Sequence, residues 1–273
     1  MGCRMFVRRF VFIAASATAL TPHALLADPA LPHEQIVVTA TRVPVPLQEV
    51  LVPVLVIDRD AIERSGAGDP GDILRFHAGL DLGRNGGPGQ TTAVFIRGAD
   101  SNHTLVLVDG VRINPGTIGL AALQSIDTAN IERIEVVKGP RSALYGTDAI
   151  GGVINVIPVK PVLGELGGWV SAGYGNYEDI EISGAFNAPI GENSAIRFAA
   201  NQSKHDGYNR DGTQDQDVWG VRGQFLTEIN DNLSIRIGGD YSDIGGIGSG
   251  TTAVGRFAAA GLGNYTFIPS GLD

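Results

Sequence analysis

The chain has 273 residues, of which 38 are glycine, with 20 Lys and Arg against 29 Asp and Glu. Its net charge of -9 argues against nucleic-acid binding, which requires clustered Lys and Arg to neutralise phosphates. The single cysteine, Cys3, excludes a disulfide framework and a cysteine-based zinc site. The length allows one or two domains with a hydrophobic core.

Residues 1–27 have the pattern of a secretory signal peptide. Arg4, Arg8 and Arg9 precede an apolar run at residues 10–15, and small residues lead to a cleavage position after Ala27. An N-terminal membrane anchor is the alternative, but the apolar run is shorter than the ~20 residues of a spanning helix. The segment is therefore left out of the fold, and any membrane crossing by the rest of the chain would have to use strands.

Residues 28–50 are predicted to form an extended arm. Pro29, Pro32, Pro44 and Pro46 interrupt helices and are excluded from central strands. Residues 35–41, which lie between these prolines, are the one strand-forming run in the arm. We expect this run to have no local pairing partner.

Residues 51–160 alternate strands with short helices, which predicts a compact α+β domain. Asp58 and Asp60 predict a helix that continues to Arg64, and Asp69 followed by proline predicts a second helix that continues to His77. Strands are predicted at residues 52–57, 93–97, 104–108, 111–113, 131–138 and 153–157. Asp109 and Gly110 predict a tight hairpin, because both turn positions require a positive φ.

Residues 161–273 have a different pattern, in which apolar and polar residues alternate. The alternating segments are residues 169–174, 179–187, 195–203, 218–229 and 233–243. Their length, with short connections on one side and long ones on the other, matches an outer-membrane β-barrel. A soluble antiparallel sheet with one solvated face would show the same alternation. Because five strands cannot close a barrel in lipid, the membrane interpretation predicts that the natural protein is longer than this chain.

Several short motifs resemble those of the TonB-dependent outer-membrane receptors. They follow one another in the order of that family, at residues 34–40, 95–98, 107–112, 131–140, 144–146 and 149–155. The resemblance implies an α+β plug domain at 51–160 followed by antiparallel β-strands of an incomplete transmembrane β-barrel at 161–273. It also implies energy-coupled uptake through a barrel of ~22 strands in the cell outer membrane, with the plug facing the periplasm.

The strand-forming run of the arm resembles the TonB box, which binds TonB of the inner-membrane energy complex. The residues concerned are Glu34, Gln35, Ile36, Val37, Val38, Thr39 and Ala40. The physical pattern agrees, because a β-forming run on a proline-rich tether can add as a strand to the edge of a partner's sheet. An ordinary N-terminal strand of the plug is the alternative.

Residues 85–90, with the sequence Asn-Gly-Gly-Pro-Gly-Gln, resemble the cobalamin (corrinoid) receptors within the family. The resemblance implies cobalamin uptake, with ferric-siderophore or other metal-chelate uptake as the alternative. By family position, the Gly-rich loops 85–92 and 114–119 are candidate substrate loops. The candidate hydrogen-bonding residues are Asn85, Gln90, Thr91, Thr92 and Asn114, and ordinary turn chemistry is the alternative for each.

The loop at 205–217 is rich in carboxylates. Asp206, Asp211, Asp215 and Asp217 supply the oxygen ligands that calcium prefers, although their spacing does not match an EF-hand. The resemblance to corrinoid receptors implies an outer loop that binds a structural calcium ion. A solvated acidic loop is the alternative.

Two other classes of protein were considered. An enzyme is not expected, because the five histidines are scattered and no His-Glu-x-x-His, Gly-x-Ser-x-Gly or phosphate-loop motif occurs. A soluble periplasmic binding module is the more distant alternative. The expected partners are therefore TonB, outer-membrane lipid and a corrinoid or metal-chelate substrate, with no nucleic acid and no cofactor beyond the calcium ion.

Overall fold

The computed structural model describes residues 52–116, 119–209, 211–230 and 232–248, together with the backbone of four two- or three-residue strands outside them. The strands are β1 (Val37–Val38), β2 (Val45–Pro46), β3 (Val54–Ile57), β4 (Leu80–Arg84), β5 (Thr92–Ile96), β6 (Thr104–Val108), β7 (Val111–Arg112), β8 (Ile131–Lys138), β9 (Gly152–Pro158), β10 (Gly167–Tyr174), β11 (Ile180–Pro189), β12 (Ser194–His205), β13 (Gln216–Asn230), β14 (Leu233–Gly245), β15 (Val254–Arg256) and β16 (Asn264–Thr266). The helices are α1 (Arg59–Ser65), α2 (Pro70–Leu74) and α3 (Ser142–Tyr145). The predicted signal peptide and most of the arm lie outside the described residues.

The first domain is built on a mixed five-stranded sheet with the order β3-β8-β9-β6-β7. Only the pair β6–β9 is parallel, and the remaining neighbours are antiparallel. The central strands β8 and β9 supply the fully buried side chains of Ile134, Val136 and Ile154, which pack under the helices. A sheet with short helices and an apolar core is the α+β domain that the sequence predicts.

The two longer helices begin where the sequence predicts. The Asp58 carboxylate accepts a hydrogen bond from the Ala61 amide at 2.8 Å, and Asp69 caps α2. The prediction that α2 continues to His77 is wrong, because the helix ends at Leu74. After that point the chain makes two successive four-residue turns, in which the His77 amide donates to the Leu74 carbonyl and the Leu80 amide donates to the His77 carbonyl. These turns redirect the chain into β4.

Of the two strands in the hairpin β4–β5, only β5 is predicted from the sequence. Leu80 and Leu82 alternate with Asp81 and Gly83, and this period of two could have identified β4. The other predicted hairpin, β6–β7, is confirmed, with φ of 54° at Asp109 and 79° at Gly110.

The second region is an antiparallel sheet in which β10, β11, β12, β13 and β14 are neighbours in chain order. Its strands exceed the predicted lengths, and β13 has 15 residues. One face exposes large apolar side chains, such as Val170, which is 70% exposed, and Phe198, which is 56% exposed. The opposite face lies against the first domain and the linker, and it buries polar side chains including Asn187, Arg197 and Gln224.

Aromatic side chains lie at the end of the exposed face that is nearest the long loops. Tyr174, Trp219 and Tyr241 are all exposed there, and the rings of Trp219 and Tyr241 lie 5.3 Å apart. An apolar outer band edged by aromatic residues is typical of a sheet that faces lipid. Within the described ranges, no helix is both long enough and apolar enough to span a membrane.

Candidate functional site: two loops and the interface between plug and sheet

The Gly-rich loop at residues 85–91 connects β4 to β5. Its ends are joined by the Asn85 amide, which donates to the Thr91 carbonyl at 3.1 Å. At its base, the Arg84 Nε donates to the Thr92 hydroxyl at 2.9 Å. The hairpin therefore holds the loop in one position above the domain.

The same arginine fixes the hairpin to α2. The Arg84 side chain is largely buried and lies 2.8 Å from Asp69 and 3.2 Å from Asp72. Burial raises the pKa of Asp69, although the positive charge of Arg84 acts in the opposite direction. An ion pair at the start of α2 thus supports the loop from below.

The four candidate residues of this loop divide into two pairs. Gln90 is 5% exposed and Thr92 is 1% exposed, and both use their side chains inside the protein. The Gln90 Nε2 donates to the Asp215 carbonyl at 2.8 Å, and the Thr92 hydroxyl donates to the Gln90 carbonyl at 3.0 Å. Asn85 is exposed and Thr91 is half-buried, so these two are placed to meet a solute. Substrate contact by the loop stays a prediction.

Asn114, the candidate in the second loop, is buried and fully hydrogen-bonded. Its Oδ1 accepts from the Val106 amide at 2.7 Å, while its Nδ2 donates to the Thr104 carbonyl at 3.0 Å and the Gly119 carbonyl at 2.7 Å. The side chain therefore ties the second loop to β6. Any effect of Asn114 on a substrate would act through the shape of that loop.

The loop between β12 and β13 folds onto the Gly-rich loop. His205 is 3% exposed, with its Nε2 3.3 Å from the Pro88 carbonyl and its Nδ1 2.9 Å from the Asp206 carbonyl. The Tyr208 ring packs beside it, with ring centroids 4.7 Å apart. Neither ring stands out in the sequence, because the contacts with the Gly-rich loop join positions more than a hundred residues apart.

Two of the predicted calcium ligands are occupied by protein donors. The Asp211 carboxylate accepts from the Thr213 hydroxyl at 2.7 Å and its amide at 3.1 Å, and these bonds lower the pKa of Asp211. The Asp215 carboxylate accepts from the amides of Ile247 and Gly248, each at 2.9 Å. Two backbone amides therefore supply hydrogen-bond donors to the Asp215 carboxylate in this structure.

The other two predicted ligands do not join them. Asp217 lies 3.6 Å from the Lys204 ammonium group, and Asp206 is exposed. Among the residues that the structure describes, no group of three or more His, Cys, Asp or Glu is placed to hold a metal ion. The four carboxylates do not come together as one ligand set in the described residues, and calcium binding by this loop stays a prediction.

The predicted TonB box lies outside the described residues except for the backbone of β1. There, β1 pairs antiparallel with β2, with Val38 opposite Val45 and Val37 opposite Pro46. The expectation that this run has no local pairing partner is therefore wrong. A proline lacks only the amide donor, so Val45 can still pair even though prolines flank it on both sides.

An ion-pair cluster joins the first domain to the second sheet. At the tip of the hairpin β6–β7, the Asp109 carboxylate accepts from Arg236 at 2.8 Å and lies 3.4 Å from Arg222. Arg222 also pairs with Asp240 at 2.9 Å. Burial acts to raise the pKa of Asp109, but the hydrogen bond and the arginine charges outweigh it and lower that pKa. The sequence analysis had assigned Asp109 only a turn role.

A crevice of about 540 Å³ separates the first domain from the second sheet on another side. Its lining includes carboxylates from both regions: Asp69, Asp72 and Asp127 from the first domain, with Asp179 and Glu181 from the sheet. Burial raises the pKa of Asp127 as well as that of Asp69. Polar groups therefore form much of this side of the contact between the two regions.

Comparison with known proteins agrees with this architecture. Residues 46–153 match the family model of the TonB-dependent Receptor Plug Domain. The pyoverdine outer membrane receptor FpvA from Pseudomonas aeruginosa PAO1 superposes with a TM-score of 0.66 at 23% identity, over 76% of this chain and 29% of the receptor. The siderophore receptor PirA from Acinetobacter baumannii gives a TM-score of 0.60 at 25% identity, over 73% of this chain and 32% of PirA.

A third solved structure is the ferric enterobactin receptor PfeA from Pseudomonas aeruginosa, a variant crystallised with enterobactin. It gives a TM-score of 0.59 at 24% identity, over 76% of this chain and 35% of PfeA. The chain spans 29% to 35% of the length of these three receptors. Residues 46–153 thus match the plug-domain family model, and the antiparallel strands that follow are arranged like those of TonB-dependent barrel receptors.

Proposed function

We propose that this chain is the N-terminal part of a TonB-dependent transporter, which takes up a scarce and bulky substrate across the outer membrane. The observation that carries the proposal is the combination of a plug domain with a sheet whose polar face lies against it and whose apolar face is exposed. A soluble binding module is not expected to expose a continuous band of Val, Phe, Trp and Tyr side chains to water. Lipid provides the apolar surroundings that this face requires.

The coupling step is proposed to act on β1. A β-forming segment that can add to the edge of a partner's sheet gains affinity through backbone hydrogen bonds. Because β1 already pairs with β2 over two residues, binding of TonB would have to replace this short ladder. Tension on the arm would then reach the plug, whose contacts with the sheet are polar.

For the substrate, we favour a ferric siderophore. The solved structures that superpose on the chain include receptors for pyoverdine and enterobactin, although their low identity supports the fold more than the substrate. A corrinoid is the second candidate, and it is supported by the resemblance of residues 85–90 to the cobalamin receptors. Exposed Asn85 and half-buried Thr91 are the proposed contacts for either substrate.

The coupling role can be tested with Val38→Pro in the complete natural protein. Proline removes a backbone donor from the strand that TonB would bind, and we expect a loss of energised uptake of about tenfold or more. Substrate binding to whole cells should be unchanged. Val38→Thr keeps the donor and the β propensity, so it serves as the matched control. Normal uptake by the proline variant would refute the coupling role.

The substrate can be identified by growth of a deletion strain that carries the natural gene on a plasmid. Ferric pyoverdine, ferric enterobactin and cyanocobalamin would each be supplied as the limiting nutrient. We expect growth to depend on the gene with one of the ferric siderophores. Dependence with cyanocobalamin alone would replace the siderophore proposal by the corrinoid one.

A further inference from the structure

We propose that Tyr208 and His205 are positioning residues, through which the loop between β12 and β13 sets the conformation of the Gly-rich loop 85–91. The proposal rests on the proposed function only in regarding loop 85–91 as the substrate loop. Neither ring is assigned a substrate contact. Both rings act on loop 85–91, and it is this loop that would contact the substrate.

The central contact is between Gly87 and the Tyr208 ring. A Cβ placed on Gly87 would lie 2.6 Å from Tyr208 Cε2 and 2.9 Å from Cδ2, which is closer than carbon atoms can approach without movement. The backbone of Gly87 is not in the left-handed region, so its conformation does not require glycine. Glycine is required there because the Tyr208 ring leaves no room for a Cβ. The ring and the loop therefore fit together only because residue 87 is a glycine.

The Tyr208 ring cannot easily move away, because other rings hold it. Tyr177 meets it edge to face with centroids 4.8 Å apart, and His205 lies 4.7 Å away on a tilted plane. His205 is itself buried, with its two ring nitrogens facing the carbonyls of Pro88 and Asp206. Burial raises the pKa of Tyr208, with a further contribution from Asp179.

Further contacts extend the same interface along the loop. A Cβ on Gly89 would lie 2.5 Å from the Gln216 side chain, and one on Gly86 would lie 3.1 Å from that of Gln214. Gln90 donates to the carbonyl of Asp215. Contacts at five successive positions, residues 86–90, make each loop part of the other's surroundings, so a change in either loop should alter the other.

The test is hydrogen–deuterium exchange on the complete purified protein in detergent, read from peptides that cover residues 85–91 and 206–215. For Tyr208→Ala and for Gly87→Ala, we expect exchange to be about fivefold to tenfold faster in both loops. His205→Ala, which removes the ring that supports Tyr208, should act in the same direction. Tyr208→Phe keeps the ring and should restore the exchange of the parent protein.

Two further variants separate the positioning role from general loosening. Gly87→Ala with Tyr208→Ala should exchange no faster than Tyr208→Ala alone, because the clash is removed together with the ring. Gly116→Ala, in the second loop, is the matched control, since a Cβ there meets nothing within 4 Å. Faster exchange confined to the mutated loop, or no difference between Gly87→Ala and Gly116→Ala, would overturn the proposal. Because this measurement needs neither substrate nor TonB, it can fail while the transport proposal stands.

Discussion

The plug domain and the second sheet use similar strand-forming residues and place them in opposite ways. In the plug, Ile134, Val136 and Ile154 point inward and are fully buried. In the second sheet, Val170, Phe198 and their neighbours point outward and are exposed, while polar residues face the plug. The plug therefore carries its own apolar core, whereas the sheet exposes an apolar outer face.

Ion pairs and hydrogen bonds form part of the boundary between these two regions. If the plug were joined to the sheet through a continuous apolar core, moving it would expose that core to water, at about 25 cal/mol for each Å² uncovered. The contacts seen here are ion pairs, such as Asp109 with Arg236, and hydrogen bonds to carbonyls, such as Gln224 with Val159. Water can replace contacts of this kind, so separating the two regions here would cost less than uncovering an equal area of apolar core.

The largest expected effect is on the free energy of unfolding, when one isoleucine is truncated in each of the two regions. Ile154→Ala should lower the free energy of unfolding by about 2–5 kcal/mol, because it leaves a cavity in a closed core. Ile182→Ala, at a site that is 46% exposed on the outer face, should cost about 1 kcal/mol, since detergent or lipid fills the space. Urea titration of the complete protein in detergent measures both values. Equal costs would mean that the outer face of the sheet is part of a core.

The second prediction tests what surrounds the outer face. Val221→Arg, in the middle of β13, should disfavour membrane assembly by about 2–4 kcal/mol if the side chain faces lipid. Val111→Arg, at a valine on the plug hairpin that is 68% exposed, should change stability by less than about 0.5 kcal/mol.

The measurement is the amount of each variant recovered in the outer-membrane fraction. A soluble sheet would give equal recovery for the two variants, and the parent protein would then fractionate without detergent. That result would remove the difference between the two regions on which the transport proposal depends.

Much of this architecture follows from local patterns in the sequence. The period of two in β11 to β14, the caps at Asp58 and Asp69, and the hairpin at Asp109 and Gly110 are short-range signals, and the structure contains each of these elements. Errors arose where the local signal was weak or misjudged. The end of α2 is set by turns that lead into β4, and the pairing of β1 with β2 depends on a valine between two prolines.

The sequence alone does not show which polar groups of the candidate site are already used inside the protein. The residue types of loop 85–91 suggested polar contacts with a substrate, but Gln90 and Thr92 are used inside the protein. The four aspartates of the loop at 205–217 suggested calcium. Three of them, however, accept hydrogen bonds from local amides or a hydroxyl, or pair with Lys204. Composition shows which groups a loop can offer, and only the three-dimensional contacts show which of those groups are already occupied.

The smallest predicted effect concerns the ion pair that connects the two regions. Asp109→Asn and Arg236→Gln should each loosen the contact between the plug hairpin and β14. After allowance for partial solvent exposure, their coupling energy should be about 1–2 kcal/mol. A double-mutant cycle, read from hydrogen exchange of the peptide covering residues 104–112, isolates this term from other effects of the two changes.

The pH dependence gives an independent check on the same pair. Because the pKa of Asp109 is lowered in the folded protein, its contribution is complete above the ordinary aspartate pKa of about 3.9 and is lost as the pH falls through the folded value. The parent protein should therefore lose this increment of hairpin protection in acid, and Asp109→Asn should not. If the effects of the two substitutions on hydrogen exchange were additive at neutral pH, the Asp109–Arg236 ion pair would have no measurable coupling energy. The contact between plug and sheet would then depend less on charge than the distances imply.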